Sequence, residues 1–472
     1  MKFKYTTLAV LLLASTQIFA QNLGEQQIKD LKNSFSKDAN TKSIQNILTN
    51  DKDIKGKTLN RDIQGKTDHY FKYKTNVSGI TNQYSSGRCW MFTSMNALRP
   101  SVMEKYNISE FDFSHNYNYF WDMLEKSNLF LENIKKTANK DMDDRGVVFY
   151  FSSPVGDGGV WNLFYNLGEK YGVVPQSVMP ETEHSNNTSQ MVRIINERLR
   201  KGGYEIREAY SNAISGEKNP KAKTIEKAEN QMNAIKTATL KDVYRVLALC
   251  LGEPPTEFTW RYKTKDNQIK SITTTPQEFY KNIVPSNYNP DNFVMIMNDP
   301  TREYYKVYEI DNYRNSIEGV NWKYLNLPNQ EIKEAALKSI KNNEPMYGSC
   351  DVGKQSNTKE GILDPNMYDY ESLLGIDLKM DKKARILTRQ SGSSHAMLIV
   401  SCDTDENDKP TKWEFENSWG SSSGNRGYLT FTDEWFDEYL FRIVINKKYL
   451  SEKAQKATQE KPIMLPAWDY MF

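Results

Sequence analysis

Two residues of this 472-residue chain are placed for nucleophilic chemistry, a cysteine ahead of a helical pattern and a histidine ahead of a strand pattern. Cys89 stands in the run Thr81-Asn82-Gln83-Tyr84-Ser85-Ser86-Gly87-Arg88-Cys89-Trp90. A thiol at a helix N-terminus sits in the positive end of the helix dipole, which favours thiolate. Gln83, six residues upstream, can fold its amide back beside the sulfur. With the Cys89 backbone N–H it would donate to a developing oxyanion. Taken alone, the same cysteine also reads as a small buried hydrophobe, the commoner fate of a free thiol. A thiolate nucleophile needs a proton donor for its leaving group, so a histidine must serve it. There are four. His69 lies in a charged approach, His115 follows a helix cap and is expected at the surface, and His184 sits among Ser and Asn. His395, in Ser393-Ser394-His395-Ala396-Met397-Leu398, heads an apolar strand, a rigid position at a cleft edge; neighbouring hydroxyls satisfying a structural histidine are the alternative. Asn417 follows 22 residues later, in Glu416-Asn417-Ser418-Trp419-Gly420. Adjacent antiparallel strands of this length can bring it beside the imidazole. A neutral amide there orients the ring without cancelling its charge, and Trp419 can shield the contact from water.

The elements that position these residues follow from periodicity and punctuation. A helix is predicted over 89–98, ended or kinked by Pro100. Ser114 caps another, with Tyr117, Phe120, Trp121 and Leu124 on one face. Trp161–Tyr171 is a third, closed by Gly172. Ser189 heads a helix carrying Met191, Ile194, Ile195 and Leu199. Leu240, Val243, Leu247 and Leu251 make a further stripe, stopped by Gly252. Strands are predicted over 303–310, 346–352, 396–402, 412–418, 427–431 and 442–445. Trp413-Glu414-Phe415-Glu416 alternates as a half-buried antiparallel strand should. A disordered linker fits only about 215–224. Helices therefore dominate the first half and an antiparallel sheet or barrel the last quarter.

Gln83, Cys89-Trp90, His395 and Asn417-Ser418-Trp419-Gly420 resemble the signatures of the papain superfamily of cysteine peptidases. Within it the chain is most similar to the bleomycin hydrolase/aminopeptidase C family. The likeness runs through Phe113-Ser114 to Glu125-Lys126, Asp157-Gly158-Gly159-Val160-Trp161, Cys350-Asp351-Val352-Gly353-Lys354 and Leu465-Pro466-Ala467-Trp468-Asp469. The resemblance implies an α+β, papain-like two-lobe fold, a helical lobe plus an antiparallel β-barrel lobe, with a helical insertion. The residue patterns mark 1–20 as a signal peptide, a departure from the family, and 21–64 as a polar segment; the resemblance implies 65–178 as a helical lobe with the nucleophile, 179–294 a mainly helical insertion, 295–446 a barrel lobe with His and Asn, and 447–472 a C-terminal arm reaching the cleft. It also implies catalytic roles for Cys89, His395, Asn417 and Gln83, and substrate contacts at Gly158, Gly159, Trp419 and Phe472. A broad-specificity aminopeptidase acting on peptides, assembled as a homohexamer through the insertion, is the expected activity and state. After Asp469 the sequence departs from the family pattern and continues Tyr470-Met471-Phe472. A shorter arm would admit dipeptidyl, tripeptidyl or endopeptidase action. A non-catalytic papain-like scaffold or binding hexamer is the reading from another class.

Composition narrows the rest. Sixty-two Lys and Arg balance 60 Asp and Glu, and the mean hydropathy of −0.72 is that of an ordinary soluble chain. Aromatic content of 12% excludes a disordered chain, and four cysteines are too few for a disulfide scaffold. Lys2, Lys4, the apolar run 8–14 and Ala20 predict a secretory signal cleaved before Gln21. Export to the periplasm or outside the cell is the expectation. Removing Lys2 and Lys4 takes the formal charge from +2 to zero, which leaves no electrostatic footprint for nucleic acid or an anionic membrane. No metal-ligand spacing is present, no cofactor is expected, and Cys250, Cys350 and Cys402 are expected to be free core thiols.

Overall fold

The computed structural model describes residues 22–470 apart from 215, 216, 218, 219 and 287. The signal peptide and Phe472 lie outside the described residues, as does part of the 215–224 linker. The chain divides into two compact units, 22–59 with 370–376, and 60–369 with 377–470. In the first, two helices, Glu25–Ser34 and Ala39–Asn50, bury none of their residues. The Asp38 carboxylate caps the second by accepting from the Thr41 N–H at 2.8 Å.

The second unit holds the catalytic candidates. Its central helix, Cys89–Tyr106, continues past Pro100 instead of ending there. Proline removes one N–H, but Leu98 and Val102 on either side are buried in the core, and their packing outweighs the lost bond. Ser114 caps His115–Lys136 as expected, its hydroxyl accepting from the Tyr117 N–H at 3.0 Å. Trp161–Tyr171 ends at Gly172, whose φ of 74° suits glycine.

Helices Ser189–Ile214 and Ala222–Leu251 pack on each other and on His115–Lys136. Met191, Ile195, Leu199, Val243, Leu247 and Leu251 are buried, whereas Ile194 stays exposed. Gly202 lets the pair approach, since a Cβ there would sit 2.4 Å from the Thr239 hydroxyl. The same stretch contains a hairpin absent from the sequence reading, Phe258–Lys263 with Ile269–Thr274. Its Trp260 and Phe258 pack on Phe279 of the short helix Pro276–Ile283.

A 12-stranded sheet completes the unit. From one edge its order is Ile463–Leu465, Lys306–Ile310, Lys323–Asn326, Phe293–Met297, Leu440–Asn446, Met346–Cys350, His395–Thr404, Pro410–Glu416 and Tyr428–Thr432, followed by two short strands, and the twelfth, Tyr73–Lys74, pairs off this path with His395–Thr404. Most neighbours are antiparallel, but three pairings are parallel, including the terminal arm strand Ile463–Leu465 on Lys306–Ile310. The strand Pro410–Glu416 is not half-exposed. Glu414 and Glu416 are buried like Trp413 and Phe415: Glu414 accepts from the Ser401 hydroxyl at 2.6 Å, and helix Cys89–Tyr106 brings Asn96 and Arg99 toward Glu416, on the face that alternation assigned to solvent. All four cysteines carry free thiols; Cys350 and Cys402 are core residues, while Cys250 is only half-buried.

Candidate active site

Cys89 begins the central helix, and Ala396, next to His395 on its strand, turns its N–H toward the Cys89 sulfur. Gln83, Cys89 and His395 line one cavity of about 590 Å³, with Gly158 and Gly159 in another part of its wall. The segment before Cys89 is tied to the segment after Asn417. The Gln83 N–H donates to the Ser418 carbonyl at 2.8 Å, and the Ser418 hydroxyl donates to Gln83 Oε1 at 2.6 Å. Gln83 Nε2 donates to the Ser86 carbonyl at 2.6 Å. An amide nitrogen has two hydrogens, so one remains for a ligand oxygen in the cavity.

His395 and Asn417 meet behind that wall, His395 Nε2 to Asn417 Oδ1 at 2.8 Å. The Ser418 N–H also donates to Asn417 Oδ1, at 2.8 Å, which fixes the amide with its oxygen toward the ring. Nε2 must therefore carry the hydrogen, and Nδ1 is the nitrogen left as base. The strands His395–Thr404 and Pro410–Glu416 pair with Leu398 opposite Glu416, so Asn417, one residue beyond, reaches back toward His395. The Trp419 indole stacks on the imidazole at 4.6 Å and 25°. Trp419 is not among the residues that line the cavity; it shields the pair from behind.

Burial governs the electrostatics. It pushes the Cys89 thiol up to about 11, against the Ala396 and Trp90 N–H groups that favour thiolate. It pushes the His395 imidazole down to about 4, with the Asn417 contact opposing the shift. Each charge alone is unfavourable in this wall.

The other histidines are elsewhere. His69 Nδ1 contacts the Thr430 hydroxyl at 2.8 Å, and His184 is exposed. His115 is not at the surface as expected: it is buried and stacked on Phe92 at 3.5 Å. Burial, then Arg88 and Arg99, hold its imidazole well below the ordinary range. The apolar face of the central helix covers that helix terminus, which no local pattern reveals.

Two supporting residues escaped the sequence reading although their stretches were noted. The Asp157 carboxylate accepts from the Gly87 N–H at 2.6 Å and from the Thr188 hydroxyl at 2.5 Å, while its carbonyl takes the Trp90 indole N–H at 2.9 Å. It thus clamps the turn before Cys89 to the glycine strip. Lys126 Nζ, paired with Asp122 at 2.6 Å, donates to the Gly156 and Gly158 carbonyls at 2.9 and 2.7 Å. The adjacency of Asp157 to Gly158-Gly159 was the available signal. In the arm, Ala467 lines the cavity, Asp469 pairs with Arg302, and the Tyr470 hydroxyl meets Thr301. Among the described residues no group of three His, Cys, Asp or Glu could hold a metal, and no helix is long and apolar enough to cross a membrane.

Comparison with known proteins places this geometry. The model of the Peptidase C1-like family matches residues 22–472. Human (Homo sapiens) bleomycin hydrolase is 35% identical over 96% of this chain and 98% of its own length. Aminopeptidase C of Lactobacillus delbrueckii subsp. lactis is 37% identical over 86% and 88% of the two chains. The crystal structure of PepW from Lactobacillus rhamnosis HN001 superposes with a TM-score of 0.87 at 34% identity, covering 96% of this chain and 99% of that one. With a papain-like α+β fold, a cysteine heading the central helix and relatives matched nearly end to end, the chain belongs to the Peptidase C1-like family and is a cysteine-type peptidase of the bleomycin hydrolase/aminopeptidase C type.

Proposed function

We propose that this protein is a broad-specificity aminopeptidase that hydrolyses peptides through Cys89, His395, Asn417 and Gln83. The observation that carries the reading is the 2.8 Å contact from His395 Nε2 to Asn417 Oδ1, made by a ring that lines the same cavity as Cys89. Cys89 Sγ attacks the scissile carbonyl carbon while His395 Nδ1 takes the thiol proton. The remaining Gln83 Nε2 hydrogen and the Cys89 N–H stabilise the oxyanion. His395 then gives its proton to the departing amine as the C–N bond breaks, leaving a thioester. Water, deprotonated by the same imidazole, hydrolyses the thioester and restores the thiol. Gly158 and Gly159 lie along the wall where an extended peptide would pair with backbone groups.

Relatives named aminopeptidase C support removal of single N-terminal residues. The Lys2, Lys4 and 8–14 pattern supports export with cleavage before Gln21, and the family resemblance of 179–294 supports a homohexamer. Labelling with an electrophilic cysteine-peptidase probe tests the nucleophile: wild type reacts and Cys89→Ala does not. Labelling that persists in the variant refutes the assignment. Hydrolysis of one peptide with a free and with an acetylated N-terminus tests the exopeptidase reading. Equal rates would assign endopeptidase action instead, and release of di- or tripeptides would assign the longer exopeptidase modes.

A further inference from the structure

The turn that carries Gln83 to Cys89 is held from behind by a buried arginine, the residue immediately before the nucleophile. Arg88 is 0% exposed. Its Nη1 pairs with Glu181 Oε2 at 2.8 Å, and its Nε donates to the Ser86 hydroxyl at 3.1 Å. The rings of Phe92 and Tyr119 each lie 5.3 Å from the guanidinium carbon. Two donors of one rigid plane thus fix Ser86 relative to Glu181, and two aromatic rings pack against the cation.

Stability does not account for this arrangement. Taking a guanidinium and a carboxylate out of water costs about as much as their attraction gives back, and an apolar pair of similar volume holds a core at least as well. Arg88 Nη2 and Glu181 Oε1 are moreover buried without a hydrogen-bond partner. His115 Nδ1 stands 4.0 Å from Glu181 Oε1, beyond hydrogen-bonding distance, and burial holds that imidazole well below its ordinary range.

What the pair controls is the shape of the turn. The Ser86 hydroxyl has one hydrogen; accepting from Arg88 leaves it to donate to the Gln83 carbonyl, at 2.6 Å. The Ser86 carbonyl takes one hydrogen of Gln83 Nε2, also at 2.6 Å. Ser86 is therefore bonded to both the backbone and the side chain of Gln83, and its own side chain is set by Arg88. The Arg88 backbone acts on the second donor. Its carbonyl accepts from the Met91 N–H at 2.9 Å and the Phe92 N–H at 3.1 Å as the central helix begins. That carbonyl and the Cys89 N–H belong to one planar trans peptide, so fixing the first aims the second the opposite way. Both groups proposed to hold the oxyanion, the Gln83 amide and the Cys89 N–H, thus depend on where Arg88 is anchored.

We infer that Arg88 is a positioning residue for the oxyanion site, anchored by Glu181 and acting through Ser86 on Gln83 and through its own peptide on the Cys89 N–H. Fully buried and outside the cavity wall, it acts on substrate only through those two donors. The inference rests on the peptidase reading of the site and adds the residues that preorganise it.

The test compares two reactions of Cys89 in the full-length enzyme. Hydrolysis of a fluorogenic peptide passes through an oxyanion. Alkylation by iodoacetamide forms an S–C bond as iodide leaves and builds no oxyanion. Arg88→Lys keeps the charge but cannot make both bonds from one plane, and Ser86→Ala removes the link to Gln83. Each should lower kcat at least ~10-fold with KM little changed, a part of the cost of removing an oxyanion donor outright. The alkylation rate should stay close to that of wild type. The double variant should be little worse than Arg88→Lys alone, because both changes break one relay. Glu181→Gln keeps an acceptor for Nη1 and should cost less than Arg88→Lys. Ser86→Ala removes a single oxygen, so it carries the test if the buried cation's replacement does not fold. Full kcat in Arg88→Lys or in Ser86→Ala would overturn the relay. So would kcat and alkylation falling in parallel, additive losses in the double variant, or a larger loss in Glu181→Gln. A wild type that is alkylated at Cys89 yet hydrolyses no peptide would instead overturn the peptidase reading beneath the inference.

Discussion

Gln83 and Ser418, 335 positions apart, are joined twice: Gln83 N–H to Ser418 carbonyl at 2.8 Å, and Ser418 hydroxyl to Gln83 Oε1 at 2.6 Å. The second bond decides which end of the amide faces the cavity. With Oε1 occupied by the hydroxyl, Nε2 must point toward Ser86 and the ligand space. The amide proposed as oxyanion donor is therefore oriented by the residue that follows Asn417. Ser418→Ala frees the amide to rotate, and kcat should fall about 10-fold with KM little changed, consistent with one hydrogen bond of ~1–1.5 kcal/mol. Steady-state kinetics on a peptide amide check this; a KM effect alone would mean that the bond serves binding instead.

Asn417 holds the ring from the other side. In Asn417→Ala the imidazole loses its partner at Nε2 and its preferred tautomer, so Nδ1 presents a base only part of the time. A loss on the order of 10- to 100-fold in kcat is expected for a misoriented general base. NMR of the His395 ring nitrogens should show the tautomers mixing in the variant and a single tautomer in wild type.

The pH profile should be broad. Burial holds the imidazole down to about 4 and the thiol up to about 11, so the pair keeps its single proton between those limits. Below the lower limit His395 is charged and cannot accept the thiol proton. Above the upper limit the shared proton is gone and the leaving amine lacks a donor. The expected kcat/KM is flat from roughly pH 5 to 10. An acid limb centred near the ordinary histidine value of about 6.5 would show that the ring is solvated in the working enzyme.

Glu416 gives a stability test separate from activity. Burial pushes its carboxyl up to about 8, with Arg99 and Asn96 opposing and Glu414 adding to the rise. A carboxyl raised in the folded state binds its proton more tightly there than in the unfolded chain. Stability is then full below about 4.5 and falls as pH rises toward 8. Glu416→Gln removes the titration. The variant should melt above wild type at pH 8, by on the order of a few kcal/mol, with the gap closing near pH 4. Thermal melts of both proteins across this range measure it, and parallel curves would contradict the assignment.

Gly159 admits no side chain. A Cβ there would lie 2.7 Å from both the Trp90 ring and Leu163. Gly159→Ala must push the strip from the central helix or shift Trp90, at a cost of ~1–3 kcal/mol typical of overpacking. A lower Tm together with a raised KM is expected. A lower Tm with unchanged KM would mean that the strip does not contact substrate.

Much of this site was legible because its signals are local. Cys89 beginning a helix, Ser114 capping one and Gly172 ending another depend on a few adjacent residues, so the sequence by itself determined them. The spacing of His395 and Asn417 was legible for the same reason, since two consecutive strands leave little freedom in how they pair. Other features depend on what packs across from them. Pro100 stays inside its helix because the residues around it are buried. His115 is inside because Phe92 and the neighbouring helix cover it, and Glu416 because Arg99 and Asn96 come to its face. Arg442 is the clearest case. Alternation alone would put it on the face of Leu440, and only the pairing with the Met346–Cys350 strand, which leaves Phe441 over, turns it into the cavity. Register across strands is set by long-range packing, so the tertiary structure alone decided which face of the sheet carries Arg442.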